Sequence, residues 1–149
     1  MTVTSLRAQE NVEDSRWETA VRCIKKYEGW HGPEHHPYVA YGHRIRKGEK
    51  FPARLTESEG DSILRKDLKE MCILFRHLGK DSLLIACLAY QVGPYRLLGY
   101  GRIPKSTLIR KLEAGNRDIY VDFIRYCYYK GKNCLLYTSD AADDSLRVD

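Results

Sequence analysis

The chain has 149 residues, of which 43% are hydrophobic and 30% charged, enough for one domain with its own core and unlike a disordered polymer. No apolar run nears the ~20 residues of a membrane span, and the first ten residues hold no apolar stretch of signal-peptide type. The end beyond residue 132 is acidic, with Asp140, Asp143, Asp144 and Asp149 against Arg147, so the body is more basic than the net charge of +5 shows. That balance points to an anionic partner: nucleic acid, an acidic membrane surface or a cell-wall polymer. The five cysteines (Cys23, Cys72, Cys87, Cys127, Cys134) include no CxxC pair, and their odd number speaks for buried thiols rather than a disulfide framework.

Residues 1–14 are polar and read as a flexible segment. Ser15 and Glu18 have the spacing of a capping box, followed by Trp17, Ala20, Val21, Ile24 and Tyr27 at helical spacing. A helix is expected over about 15–28, ended by Gly29. From Gly29 to Leu55 the period is lost. Tyr38–Tyr41 and His43–Ile45 are expected as short strands, with Lys47-Gly48-Glu49 as their turn. Thr56 and Glu59 form a second capping box before a helix over about 57–77. Asp81 is expected to cap a helix whose run Leu83–Tyr90 is apolar nearly all round, the mark of a central helix, ended by Gly93-Pro94. Ser106 opens a helix closed by Gly115, and Asp118 caps a last one carrying Ile119, Phe123 and Ile124. The expected fold class is α+β, mainly α, with a small β-rich segment after the first helix. One domain covers 15–132, and 133–149 is an atypical tail, read as disordered or artefactual.

Glu28 ends the first helix between Tyr27 and Trp30. Aromatic neighbours would desolvate its carboxyl, raise its pKa and let it hold a proton near neutral pH, as a general acid must. The following segment is rich in histidine (His31, His35, His36, His43) and contains Glu34. His31 and His35 have a spacing that a helix would turn into metal ligands, but Pro33 lies between them and no further ligand completes a set. No metal or cofactor is expected. There is no phosphate-binding glycine loop and no serine-nucleophile elbow.

Several stretches together resemble the phage-type lysozymes, glycoside hydrolase family 24. They are Ile24-Lys25-Lys26-Tyr27-Glu28-Gly29, then Tyr41-Gly42-His43, Thr56-Glu57-Ser58-Glu59, Leu88-Ala89-Tyr90-Gln91-Val92-Gly93 and Ser106–Gly115. The likeness runs in order over about residues 17–132. It implies a lysozyme-like fold and hydrolysis of the β-1,4 bond between N-acetylmuramic acid and N-acetylglucosamine in peptidoglycan, with Glu28 as the acid. The family's Asp, nine residues after that acid, is replaced by Pro37. Glu34 and His36 are therefore the candidates for handling the attacking water, Glu34 slightly preferred. Tyr38, Tyr41, His43, Gln91 and Tyr95 are candidate substrate contacts. The expected partner is peptidoglycan, without nucleic acid or membrane insertion, and the expected state is a monomer of phage or prophage type. It would be made in the cytoplasm and act on the wall after lysis or export.

Two alternatives stay open. A lytic transglycosylase needs only one glutamate, because the sugar's own 6-hydroxyl attacks. A non-catalytic basic domain would bind wall polymer, or bind nucleic acid through Lys25, Lys26, Arg44, Arg46, Lys47 and Lys50, although no recognised module is visible.

Overall fold

A computed structural model of the chain describes residues 3–127, so the expected tail at 133–149 and Cys134 lie outside the described residues. The described part is mainly helical with one two-stranded sheet, in agreement with the expected class. Helix α1 spans Val3–Glu28, and β1 (Tyr38–Val39) and β2 (His43–Arg44) follow after a 3-10 turn at Pro33–His35. Helix α2 is Glu57–Leu74, α3 Ser82–Val92, α4 Pro94–Leu98, α5 Thr107–Glu113 and α6 Tyr120–Cys127.

Helix α1 starts twelve residues earlier than its capping-box signature suggested. Ser15 lies inside it, and its carbonyl accepts from the Thr19 hydroxyl at 2.9 Å. Residues 3–14 contain no breaker and several good helix formers, so nothing stops the helix there, although all of them are exposed. Burial begins at Ala20, Val21, Cys23 and Ile24.

Helix α2 begins as expected. The Thr56 hydroxyl accepts from the Glu59 N–H at 3.1 Å, and the Glu59 carboxylate reaches back to the Thr56 N–H at 3.3 Å. Helix α3 is the central element, with Leu84 to Ala89 and Val92 all buried, packed against α1, α2 and α4. Its leucine, isoleucine and valine side chains each contribute roughly 1.5–3 kcal/mol when fully removed from water. Asp81 does not cap α3 with its side chain. Its carboxylate instead accepts from Arg117 at 2.7 Å, tying the segment before α3 to the approach of α6. Pro94, expected to follow a helix end, also starts α4, since proline suits the first helical turn, where its missing N–H costs nothing. Ser106 caps α5 by accepting from the Ile109 N–H at 3.2 Å.

The strands pair antiparallel, Tyr38 with Arg44 and Val39 with His43. They are joined at Ala40–Gly42, so Lys47-Gly48 forms a separate turn after the hairpin rather than between the strands. Cys23 and Cys87 are buried thiols, and Cys72 is half-buried, its thiol pushed up by desolvation. No described helix is long and apolar enough to cross a membrane.

A charged clamp fastens α1 to α2. Arg65 donates to Glu18 at 2.6 and 2.9 Å and to Asp61 at 2.7 Å, while Lys25 meets Asp61 at 2.6 Å. The Glu18 carboxyl is held below its ordinary range chiefly by Arg65, and that of Asp61 chiefly by Lys25. A lowered carboxyl stabilises the fold above its unfolded pKa and loses that contribution as pH falls through the folded value. Asp61→Asn is therefore expected to cost about 1 kcal/mol at neutral pH. The deficit should shrink toward zero below about pH 3–4, where unpaired carboxylates protonate. Urea melts of both proteins across that range check this.

Candidate functional site

Glu28 is the last residue of α1, half-buried, with its carboxyl over the hairpin turn. A Cβ placed on Gly42 would stand 2.8 Å from Glu28 Oε2, so only glycine lets the acid lie this close to the chain. Gly42 also has φ +88°, a left-handed conformation that costs other residues strain. Ala40 adopts φ 53° in the same turn while fully buried, accepting at its carbonyl from the His31 N–H at 2.7 Å. The turn is held from the other side by Tyr90 of α3, whose hydroxyl donates to the Tyr41 carbonyl at 2.9 Å. Burial, with the nearby charges of Asp67 and Glu28, pushes the Tyr90 phenol far above its ordinary range, so it stays a neutral donor. Acid, glycine turn and phenol thus come together from α1, the hairpin and α3. Tyr90 was not singled out from the sequence as a site residue; its place one position before Gln91 was the available signal.

Two expected substrate contacts are buried within the fold. Tyr41 is buried, with the Trp30 ring edge-on at 5.2 Å and the Lys25 ammonium 5.2 Å from its ring centre. His43 is 5% exposed and both ring nitrogens are engaged, Nδ1 with Asp67 at 2.6 Å and Nε2 with Glu49 at 3.0 Å. The His43 ring thus has no nitrogen left for a sugar. Burial raises the Asp67 carboxyl despite the opposing pull of His43 and Arg46. The backbone N–H of Arg46, at 2.7 Å, and then His43 hold the Glu49 carboxyl below its usual range.

A cleft of about 520 Å³ opens beside the hairpin. Its walls are Trp30–Pro33, His36, Tyr38 and Val39 on one side and Ile45 with Phe51–Leu55 on the other. Tyr38, a candidate substrate contact, and His36, a candidate for handling water, both line this cleft, but Glu28 is not part of that lining. Glu34 does not line it either. Its carboxylate is largely exposed, lies over Gly32 and meets His35 Nδ1 at 3.2 Å. Gln91 is half-buried in the last turn of α3, and Tyr95 is exposed, its ring 5.5 Å from that of Tyr100. The cleft residues Trp30, Phe51 and Arg54 were not foreseen, because the segment before Thr56 has neither a period nor a recognisable motif. Among the described residues no group of three His, Cys, Asp or Glu side chains gathers as a metal site.

Trp30 reaches the cleft by lying on α2. A Cβ on Gly60 would meet its ring carbons at 2.5 and 2.7 Å. Gly60→Ala gains up to about 1 kcal/mol of helix propensity, and displacing the ring costs about 1–3 kcal/mol. The expected net result is a small loss of stability, with Trp30 moved off α2 and its fluorescence emission shifted to the red. Emission spectra and thermal melts of the two proteins check both parts.

Comparisons of the chain with protein-family models, with curated proteins and with solved structures found no match.

Proposed function

We propose that the protein is a lysozyme-like glycosidase that cleaves the β-1,4 bond between N-acetylmuramic acid and N-acetylglucosamine in peptidoglycan, with Glu28 as general acid. The observation that carries this reading is the contact between the Glu28 carboxyl and Gly42, two residues fourteen positions apart. The sequence likeness joined these same two motifs, a glutamate ending the first helix and a Tyr-Gly-His turn. Tyr41 and His43 are buried on either side of Gly42, with His43 anchored to Asp67, and so hold that turn beside the acid. The basic body suits an anionic wall polymer, which it would approach under electrostatic steering. Two of the cations that a nucleic-acid reading would use are already neutralised within the fold, Lys25 by Asp61 and Arg46 by Glu70.

Hydrolysis, the first reading, requires a group that activates water, with acid and base roughly 6.5–9.5 Å apart in an inverting geometry. A lytic transglycosylase needs no such group, and the outward placement of Glu34 favours this second reading. Purified protein incubated with isolated peptidoglycan, followed by mass analysis of the released muropeptides, separates the two. Hydrolysis leaves reducing N-acetylmuramic acid ends, whereas transglycosylation leaves 1,6-anhydro ends lighter by one water. Intact strands after prolonged incubation would refute both.

A further inference from the structure

The cleft between the Trp30–Val39 segment and the Phe51–Leu55 segment is a site in its own right. Its volume of about 520 Å³ lies within the ~300–1,000 Å³ range of small-ligand sites. Its walls are fixed before any ligand arrives. The Ile45 N–H donates to the Pro37 carbonyl at 2.8 Å, and the Phe51 ring stands edge-on to the buried His43 ring at 5.6 Å. Pro33 and Pro52 stiffen the two rims.

The chemistry of the lining is one-sided. Trp30, Tyr38 and Phe51 supply aromatic surface, and the ionisable groups capable of carrying positive charge are His31, His36 and Arg54, with no carboxylate among the lining residues. His31 Nδ1 is occupied with the Gly29 and Ala40 carbonyls at 3.2 Å. Among the described residues, the Arg54 guanidinium and the His36 ring make no ion pair or side-chain hydrogen bond. A planar guanidinium recognises carboxylates through two parallel N–H donors, and the aromatic walls beside it offer faces against which the body carrying the carboxylate can pack.

We propose that this cleft binds a carboxylate-bearing ligand through Arg54, with Trp30 and Tyr38 contacting the body that carries the carboxylate. On the reading of the preceding subsection, on which this part rests, that ligand is the peptide arm attached to the muramic acid of the wall strand. The cleft would then grip the substrate's peptide while Glu28 acts on its sugar.

N-acetylmuramyl-L-alanyl-D-isoglutamine is the probe. Calorimetric titration should show binding to the wild-type protein, weakened at least tenfold by Arg54→Gln and equally by amidation of the probe's free carboxylate. The N-acetylglucosamine trimer, which lacks a carboxylate, should bind without regard to Arg54. Arg54 is exposed, so the variant should melt with the wild type. Absence of binding at millimolar probe, or equal binding of acid and amide, would overturn the proposal. The wall-cleavage assay is read separately. Arg54-dependent binding without cleavage keeps the carboxylate site and removes the glycosidase reading, whereas cleavage without Arg54-dependent binding does the reverse.

Discussion

Glu28→Gln is expected to reduce peptidoglycan cleavage by about 10²–10⁴-fold, the range that a positioned general acid contributes, while leaving the melting temperature within a few degrees of the wild type. Glutamine has the same length and shape, so it fits over Gly42 as the carboxyl does. What it lacks is a proton to give the leaving oxygen. The measurement is muropeptide release at matched protein concentration, with circular dichroism melts as the folding control. Gly42→Ala separates position from chemistry. It keeps the acid but puts a methyl group 2.8 Å from Glu28 Oε2, at a backbone angle that disfavours alanine. It should lose both activity and stability, the latter by about 1–3 kcal/mol. A loss below tenfold in Glu28→Gln would assign the acid to another residue.

The elements that the sequence revealed are those decided locally. The Thr56–Glu59 box and the Ser106 cap satisfy helix N–H groups within three residues, and the apolar run of α3 declares its burial without knowledge of any partner. The start of α1 was misjudged because a Ser-x-x-Glu pair marks a helix start only when the preceding residues are unfit for helix, and those before Ser15 are not. Helix α4 was missed because Gly93-Pro94 reads equally as a stop and as a start. At the site, Glu28 and Gly42 were found through the spacing of their motifs, whereas the parts played by Tyr41 and His43 depend on what stands opposite them. His43 reads from the sequence as a cleft histidine, yet its partners are Glu49, six positions on, and Asp67, twenty-four positions on in helix α2. A buried histidine and one facing a ligand look alike until those partners are placed. The cleft wall at Phe51–Leu55 has the same origin, since it becomes a wall only when Ile45 and Phe51 are drawn in by the hairpin.

The Asp67–His43 pair makes the strongest stability prediction, and its size differs between two substitutions. Asp67→Ala strips Nδ1 of a ring that is 5% exposed and leaves Arg46 with Glu70 as its remaining partner. Breaking a buried pair by removing one member costs about 3–5 kcal/mol, enough to threaten a domain whose total stability is roughly 5–15 kcal/mol. Asp67→Asn keeps an oxygen that can accept from Nδ1 and removes the charge. Burial raises the Asp67 carboxyl, so ionising it inside the fold is unfavourable, and the amide avoids that penalty. The Asn variant should therefore lose about 1 kcal/mol or less at neutral pH, the worth of a weakened hydrogen bond. The pH dependence follows from the same direction. A carboxyl raised in the folded state gives its full stabilisation below its unfolded value, near ~3.9 for Asp, and loses it as pH climbs through the folded value. The advantage of wild type over Asp67→Asn should accordingly be greatest in acid and shrink toward neutrality, opposite to the trend expected for Asp61→Asn. Urea melts of the wild type and both Asp67 variants between pH 4 and 7 test this. An advantage that grows with pH would show that the His43 charge, rather than burial, governs Asp67.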